Sequence, residues 1–201
     1  MEPLAAVAAT GPAGEAGLDP WEALWAPYDE GTYAAALAAI RADDVVLDIG
    51  AGDLRLARRM AKIARRVIAW ERQPELLATA GDLPPNLEAV CADARTATVP
   101  PGVTVAVLLM RHCAHFSLYV AKLRKAGCER LITNARWRSG VEVIPLQAAM
   151  PFSELTGGWY ACRRCGAVGW KGDDPAAVNE ATVDCAADVE GCPACAVSGD
   201  P

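Results

Sequence analysis

Short apolar runs alternate with helix-like stretches through the middle of the chain. The first run, 45–49, is rich in β-branched residues, long enough for one buried strand and too short for a helix. Similar runs follow at 66–70, 87–94, 103–110 and 129–134. Helix-like stretches lie before and between them, at 32–41, 54–64, 74–80 and 118–126. This alternation predicts an α/β domain with a mostly parallel sheet, and the apolar–polar alternation at 140–144 predicts one further edge or antiparallel strand.

The first strand runs into a glycine turn, D-I-G-A-G at 48–52. Such a turn lets the backbone approach a ligand closely and aims the free N–H groups of the following helix at it. The dinucleotide pattern G-x-G-x-x-G requires a third glycine where this chain has Arg55. A carboxylate at Asp48 is unfavourable beside a pyrophosphate and suits a ligand with a cationic group. A turn whose glycines only permit tight packing is the alternative.

The D-I-G-A-G run resembles motif I of the class I S-adenosylmethionine-dependent methyltransferases, although the usual third glycine of that family falls at Leu54. The resemblance implies a Rossmann-like fold, trimmed here because little chain remains for the family's sixth and seventh strands. It also implies a set of cofactor contacts from the turn, from the ends of the next strands and from the segment before the turn. These are Asp48, Gly50, Ala51, Gly52, Glu71, Arg72, Asp93, Ala94, Met110 and Tyr28, with Tyr33 as a further candidate.

Three of the predicted strands end in a carboxylate, namely Asp48, Glu71 and Asp93. Ligands of open α/β sheets bind beyond the carboxyl ends of the strands, so these residues should meet at one edge. Glu71 lies 19 residues after Gly52, the spacing at which an acidic residue of a βαβ unit takes ribose hydroxyls. A surface glutamate is the alternative. The family resemblance implies that Asp93 accepts a hydrogen bond from the adenine amino group.

The segment after the fourth strand, 111–116, holds both histidines of the chain, and the family resembled keeps substrate and catalytic groups there. Histidine is the usual side chain for proton transfer near neutral pH, so His112 is a candidate general base. Cys113 is a candidate nucleophile, provided that a neighbour such as His112 or Arg111 stabilises its thiolate. Asn134, which ends the fifth strand, could orient or deprotonate the acceptor. A capping loop with purely structural histidines is the alternative.

Amino-methylating nucleic-acid enzymes of this family carry Asn or Asp, then Pro-Pro and an aromatic residue, at the end of the fourth strand. This chain does not, which weakens an adenine- or cytosine-amine acceptor. After the fifth strand, Arg136, Trp137 and Arg138 alternate in a way that could grip a phosphate and stack on a base. A docked tryptophan between solvated arginines is the alternative.

Four of the eight cysteines form two C-x-x-C pairs near the end of the chain. Cys162 and Cys165 are separated from Cys192 and Cys195 by 26 residues. Two such knuckles suit tetrahedral zinc with no open coordination position. The pattern resembles a zinc ribbon or a rubredoxin-like knuckle pair, with iron as the lesser alternative, and predicts a structural Zn²⁺. Cys185 is predicted to be a packed thiol rather than a ligand.

Length and composition agree with one ordinary core and a small appendage, since 53% of the 201 residues are hydrophobic. We predict a disordered leader at 1–18, a methyltransferase-like domain at 19–150 and a zinc-ribbon-like module at 151–201. No apolar run approaches the ~20 residues of a membrane-spanning helix, and the first residues lack the positive region of a signal peptide. A cytoplasmic location without membrane contact is therefore expected.

Charge is unevenly spread over a chain whose net charge is −6. Three basic and seven acidic residues between 162 and 201 give that part −4, whereas basic residues gather at 55–66 and 122–130. The basic groups are either solvated helix faces or a patch facing RNA or phosphate. An acidic ribbon is repelled by phosphate, so folding support, a substrate lid or contact with a protein partner suits it better.

These features together predict an S-adenosylmethionine-dependent methyltransferase that carries a structural zinc ribbon. The methyl acceptor is not identified by the sequence, and RNA or a small molecule is favoured. Two alternatives stay open. One is a protein methyltransferase that docks through the acidic ribbon, and the other is a non-catalytic binding module that keeps the cofactor fold as a scaffold.

Overall fold

The computed structural model describes residues 26–136, 140–147, 149–172 and 186–197. The predicted leader at 1–18, Trp137, Arg138 and Cys185 lie outside the described residues. The domain boundaries given above stay a prediction.

A six-stranded sheet forms the body of the chain, in the order β3–β2–β1–β4–β5–β6. Its strands are β1 (Val45–Ile49), β2 (Arg66–Glu71), β3 (Leu87–Cys91), β4 (Val105–Leu108), β5 (Arg130–Thr133) and β6 (Glu142–Pro145). The first five are parallel, and β6 runs antiparallel to β5 at the edge. The predicted Rossmann-like α/β class and its antiparallel edge strand are therefore confirmed. The strand order reverses between β1 and β4, which places a ligand-binding switch point at the end of β1.

Helices flank this sheet at α1 (Glu30–Ala38), α2 (Arg55–Met60), α3 (Pro74–Ala78) and α4 (Phe116–Lys125). Helix α1 begins earlier than the predicted residue 32 because Asp29 caps it, accepting hydrogen bonds from the N–H of Thr32 at 2.9 Å and from its hydroxyl at 2.8 Å. Helix α4 is followed by Gly127 with φ +77°, the predicted C-terminal signal. None of the described helices is both long and apolar enough to cross a bilayer.

Two apolar clusters cover the two faces of the sheet. Every residue of β1 is buried, and successive residues enter opposite clusters, with Val46 on the face packed by α1 and α2 and Leu47 on the face packed by α4. A strand covered on both faces needs a continuous apolar sequence, which explains the run at 45–49. The rigid β1 carries Asp48 to the carboxyl edge of the sheet.

A second sheet follows, in the order β7–β10–β8–β9. Its strands are β7 (Met150–Pro151), β8 (Gly158–Cys162), β9 (Val168–Lys171) and β10 (Ala187–Glu190), and a short helix α5 (Pro193–Val197) follows β10. Strands β8 and β9 form an antiparallel pair, and β10 lies parallel to both β8 and β7. Leu155, Tyr160 and Val189 pack with the paired cysteines in a small core of their own.

Candidate cofactor cleft and cysteine cluster

A cleft of about 810 Å³ lies at the carboxyl ends of β1 to β4. Most of the residues predicted for the cofactor and for catalysis line it: Tyr28, Asp48, Gly50, Ala51, Glu71, Arg72, Asp93, Ala94, Met110, His112 and Cys113. Gly52 and Asn134 lie outside this lining. One open edge of the parallel sheet therefore collects residues that are up to 85 positions apart, between Tyr28 and Cys113, in the sequence.

The glycine turn is fixed to the end of β2 by backbone hydrogen bonds. The N–H groups of Gly50 and Ala51 both donate to the carbonyl oxygen of Trp70 at 2.9 Å. The N–H of Gly52 donates to one carboxylate oxygen of Glu71 at 2.8 Å, and the other oxygen accepts from the N–H of Gln73 at 2.9 Å. Glu71, which is 5% exposed, is thus held in one orientation at the cleft wall. The surface-glutamate alternative is excluded.

Leu54 adopts the left-handed conformation, with φ +66° and ψ 10°, directly before α2. This is the position at which the resembled family usually has its third glycine. A non-glycine residue in this region costs about 1–2 kcal/mol. Leu54 is fully buried in the cluster beneath α1 and α2, and burying a leucine side chain contributes about 1.5–3 kcal/mol. Packing therefore offsets the backbone strain.

Asp48 is a buried carboxylate without a complete set of hydrogen bonds. It is 4% exposed, and its Oδ2 has no hydrogen-bond partner in the described part of the chain. Burial, together with the nearby charge of Glu71, raises the pKa of Asp48 from 3.8 to about 7. A buried carboxylate with an unsatisfied oxygen is stabilised by a cationic or hydrogen-bond-donating ligand in the adjoining cleft.

Asp93 is already paired within its own turn, a feature that the sequence analysis did not predict. Its carboxylate accepts hydrogen bonds from the N–H of Arg95 at 2.9 Å and from the Arg95 guanidinium, the shortest at 2.6 Å. These side-chain bonds lower the pKa of Asp93 to about 2. The ammonium of Lys122 on α4 donates to the carbonyl oxygens of Ala94 and Arg95, which ties the turn to that helix. If Asp93 accepts a hydrogen bond from a ligand, its carboxylate does so while it also remains bonded to Arg95.

The segment before α1 crosses to the loop that follows β4. The hydroxyl oxygen of Tyr28 accepts a hydrogen bond from the N–H of Arg111 at 3.0 Å. The hydroxyl of Tyr33 accepts one from the N–H of Tyr28, also at 3.0 Å. Both tyrosines line the cleft, so this strap, residues 26–29, forms one of its walls.

The loop after β4 supplies an adjoining part of the cleft wall. His112 is exposed there with φ +58°, in the left-handed region, and Cys113 is half-buried beside it. His115 also lines the cleft and packs edge-on against Tyr119, with ring centroids 6.2 Å apart. We call the segment 111–115 the wall loop. An exposed imidazole at the cleft mouth suits proton transfer to or from a bound molecule.

Asn134 is buried and does not line the cleft. Its side chain is 2% exposed, and within the described residues neither its amide nitrogen nor its oxygen has a hydrogen-bond partner. Arg136, two residues on, is 4% exposed and is paired with Glu142 and with Asp188. The prediction of Arg136 as either a phosphate grip or a solvated arginine was therefore wrong. The reason is that Asp188, 52 residues later, folds back onto it.

The four paired cysteines meet in one cluster. All four Sγ atoms lie within 4.8 Å of one another. The Cys162–Cys195 and Cys165–Cys192 pairs are 3.5 Å apart, and the Cys192–Cys195 pair is 3.9 Å apart. Zn–S bonds of about 2.3 Å in a tetrahedron require S–S separations of about 3.8 Å. The cluster therefore has the donor set and the size of a tetrahedral thiolate site.

No protein-family model and no curated protein matches this chain. Solved structures do match about half of it. The 23S rRNA methyltransferase ErmE is 28% identical over 55% of this chain and 47% of its own, with a TM-score of 0.45. A dimethyladenosine transferase from Plasmodium falciparum is 21% identical over 52% and 41%, also at 0.45. A TehB-like SAM-dependent methyltransferase from Corynebacterium glutamicum ATCC 13032 is 18% identical over 51% and 60%, at 0.44.

This chain thus spans about half the length of the solved proteins that it resembles. With TM-scores below 0.5, these likenesses carry no argument about the fold or the function. The Rossmann-like assignment rests on the strand order and its switch point, and the four-cysteine cluster fits a zinc-ribbon-like module.

Proposed function

We propose that this chain is an S-adenosylmethionine-dependent methyltransferase acting on RNA or a small molecule. The observation that carries the proposal is Asp48, a buried carboxylate with an unpartnered oxygen, among the described residues, at the switch point of a Rossmann-like sheet. A negative charge in that position disfavours a pyrophosphate and favours a cationic group. When bound, S-adenosylmethionine supplies a methyl group on a positively charged sulfur and also carries an amino group.

The cofactor half of the cleft has a role for each predicted residue. Asp48 would offset the cationic part of the ligand, and Glu71 would accept ribose hydroxyls without rotating, because two backbone N–H groups already hold its carboxylate. The turn of Gly50, Ala51 and Gly52 leaves room for close approach; a Cβ at Gly50 would lie 3.1 Å from Met110. The adenine end would lie against Arg72, Asp93 and Ala94, with Met110 and Tyr28 as apolar walls.

The acceptor half is assigned to the wall loop. His112, exposed at the cleft mouth, would remove or orient the acceptor proton. Cys113 borders the same space. Asn134, whose side-chain amide is buried and has no hydrogen-bond partner among the described residues, would reach the acceptor only after a small rearrangement of the segment that covers it. Direct transfer between two bound molecules needs mainly correct placement, so positioning supplies most of the catalysis. The exposed Arg111 beside His112 favours an acceptor with phosphate or carboxylate groups.

The four-cysteine cluster would hold a structural Zn²⁺. Four thiolates complete a tetrahedral shell and leave no position for water or substrate. Three of the cysteines are buried, and Cys165 is half-buried, which also argues against a catalytic metal. Burial opposes ionisation of the Cys162 thiol, but the N–H groups of Cys165 and Arg164 outweigh it and lower the pKa, whereas burial raises the pKa of the Cys165 and Cys195 thiols. A bound cation would therefore be needed to hold all four as thiolates.

Calorimetric titration of the zinc-loaded full chain with S-adenosylmethionine tests the proposal. Asp48→Asn should weaken binding at least about tenfold, because it removes a charge-assisted contact. Asp53→Asn is the matched control, since Asp53 lines the same cleft but is partly exposed and paired with Arg55; its effect should stay within about threefold. Absence of binding to the wild-type chain, or equal affinities for Asp48→Asn and wild type, would contradict the proposal.

The acceptor class is tested by transfer of a labelled methyl group to separated RNA, protein and metabolite pools. Label in the RNA or metabolite pool, lost in His112→Gln, is the expected result. Label confined to protein would instead favour a protein methyltransferase. For RNA, affinity should fall steeply with salt, because phosphate contacts release counterions.

A further inference from the structure

One contact joins the Cys162–Cys165 knuckle to the start of α4. Gly166 ends this knuckle with φ +78°, and its N–H donates to the carbonyl oxygen of Cys162 at 3.0 Å. Its backbone lies so close to the buried Phe116 ring that an added Cβ would be 2.8 Å from that ring. The N–H of Phe116 in turn donates to the carbonyl oxygen of Cys113 at 3.3 Å. The knuckle therefore packs on the residue that anchors the wall loop.

A second contact reaches the end of β5. The buried guanidinium of Arg136 is shared between Glu142 on β6 and Asp188 on β10, at 3.0 Å from Asp188. The other carboxylate oxygen of Asp188 accepts from Arg163, inside the same knuckle, at 3.2 Å. Asp188 thus links the knuckle to the loop that carries Asn134. The first contact therefore ends at the wall loop, and the second ends two residues after Asn134.

We propose that the four-cysteine module, when it holds a metal ion, positions the acceptor side of the cleft, meaning the wall loop and the segment around Asn134. Gly166 and Asp188 are its positioning residues. That this side receives a methyl acceptor rests on the proposed function. A single ion bound by all four cysteines holds the two knuckles together, so Gly166 stays on Phe116 and Arg163 stays on Asp188. The cofactor side has its own support, the hydrogen bonds from the glycine turn to β2. Metal loss should therefore loosen the acceptor side and spare the cofactor side.

Gly166→Ala tests the first contact, with Gly191→Ala as its matched control. Both glycines have positive φ, +78° and +69°, and each neighbours a ligating cysteine. Among the described residues, an added Cβ at Gly191 meets nothing within 4 Å, whereas at Gly166 it meets the Phe116 ring. The backbone strain is common to the two variants, and only Gly166→Ala adds pressure on the wall loop.

The two histidines report on this loop by NMR. His112 and His115 are the only histidines of the chain, and both line the cleft. In the zinc-loaded full chain, Gly166→Ala should shift both ring signals and raise amide exchange over 111–119 about tenfold. Gly191→Ala should match the wild type. Chelated wild type should show the same changes over 111–119 as Gly166→Ala, together with faster exchange over 130–136, because metal loss releases both contacts. Adding Phe116→Leu to Gly166→Ala makes room for the methyl group and should restore the ring signals, which a general loss of stability would not allow.

Asp188→Asn tests the second contact, which reaches the segment after β5. Amide exchange over 130–136 should rise about tenfold, while the two histidine signals keep their wild-type positions. The charge-transfer absorption of Co²⁺ bound in place of zinc shows that each variant retains four thiolate ligands, so that a lost metal site is not mistaken for a lost contact.

Histidine signals that stay unchanged in both Gly166→Ala and the metal-free chain would overturn the positioning role. Equal perturbation of the loop by Gly191→Ala and Gly166→Ala would overturn it as well. Titration with S-adenosylmethionine tests the proposed function independently of this coupling. A wild-type chain that shows the coupling but does not bind this ligand would refute the proposed function and leave the link between metal module and loop intact.

Discussion

Replacement of Asp48 by asparagine should stabilise the folded chain at neutral and alkaline pH. The substitution keeps the shape of the side chain and removes its charge. Burial raises the pKa of Asp48 from 3.8 to about 7, and a difference of about three units corresponds to about 4 kcal/mol. Because the folded-state pKa is the higher one, the native state of the wild type is favoured by protonation. That stability is complete below pH 4 and is lost as the pH rises toward 7.

The asparagine variant does not titrate at this position, so the difference between the two proteins depends on pH. Asp48→Asn should gain about 1.4 kcal/mol over wild type for each pH unit between 4 and 7 and remain constant above 7. Urea unfolding at pH 5, 6, 7 and 8, without cofactor, measures the difference. Asp93→Asn is the control: the lowered pKa of Asp93, about 2, makes its contribution constant above pH 5. A difference between Asp48→Asn and wild type that does not vary from pH 5 to 8 would refute the assignment of a buried, destabilised carboxylate.

Three further predictions concern the turn, the cofactor and the metal. The Leu54→Gly variant should be about 1 kcal/mol more stable than the Leu54→Ala variant, the reverse of the usual order, because residue 54 has φ +66°. Urea unfolding of the two variants measures this difference, and a more stable Leu54→Ala variant would contradict the backbone strain at this position. Binding of S-adenosylmethionine at pH 7 should release about half a proton from Asp48, seen by calorimetry in buffers of different ionisation enthalpy and absent in Asp48→Asn. Chelation should unfold the second sheet, and the double variant Cys162→Ser, Cys195→Ser should mimic it; exchange-protected amides over 158–171 in that variant without metal would exclude a metal-dependent fold.

Local signals predicted the parts of the fold that depend on neighbouring residues. The β-branched run before Asp48 formed a strand buried on both faces, and Gly127 ended α4, because both depend on side-chain type within a few positions. Leu54 shows the limit of this reasoning. Leucine disfavours positive φ by itself, and only its burial under α1 and α2, which involves distant chain segments, stabilises that conformation.

The sequence predicted the site residues that lie at the ends of parallel strands. It did not predict the ion pairs between residues that are far apart in the chain. The carboxylates of Asp48 and Glu71 reach the cleft because parallel strands end at one edge. The pairing of Arg136 with Asp188 joins two sheets across 52 positions and has no local pattern that announces it. The hydrogen bond between Asp93 and Arg95 spans only two residues, and an aspartate two positions before an arginine could have indicated it.

The strap formed by residues 26–29 has a consequence for how a cofactor enters and leaves. Its Tyr28 is joined to the wall loop by one neutral hydrogen bond, from the N–H of Arg111. A bond of this kind contributes a net stabilisation of about 0.5–1.5 kcal/mol, so thermal motion breaks it in roughly one molecule in ten at any moment. Under the proposed function, a cofactor would therefore be able to enter and leave through this side of the cleft while α1, the sheet and the cysteine cluster all stay folded.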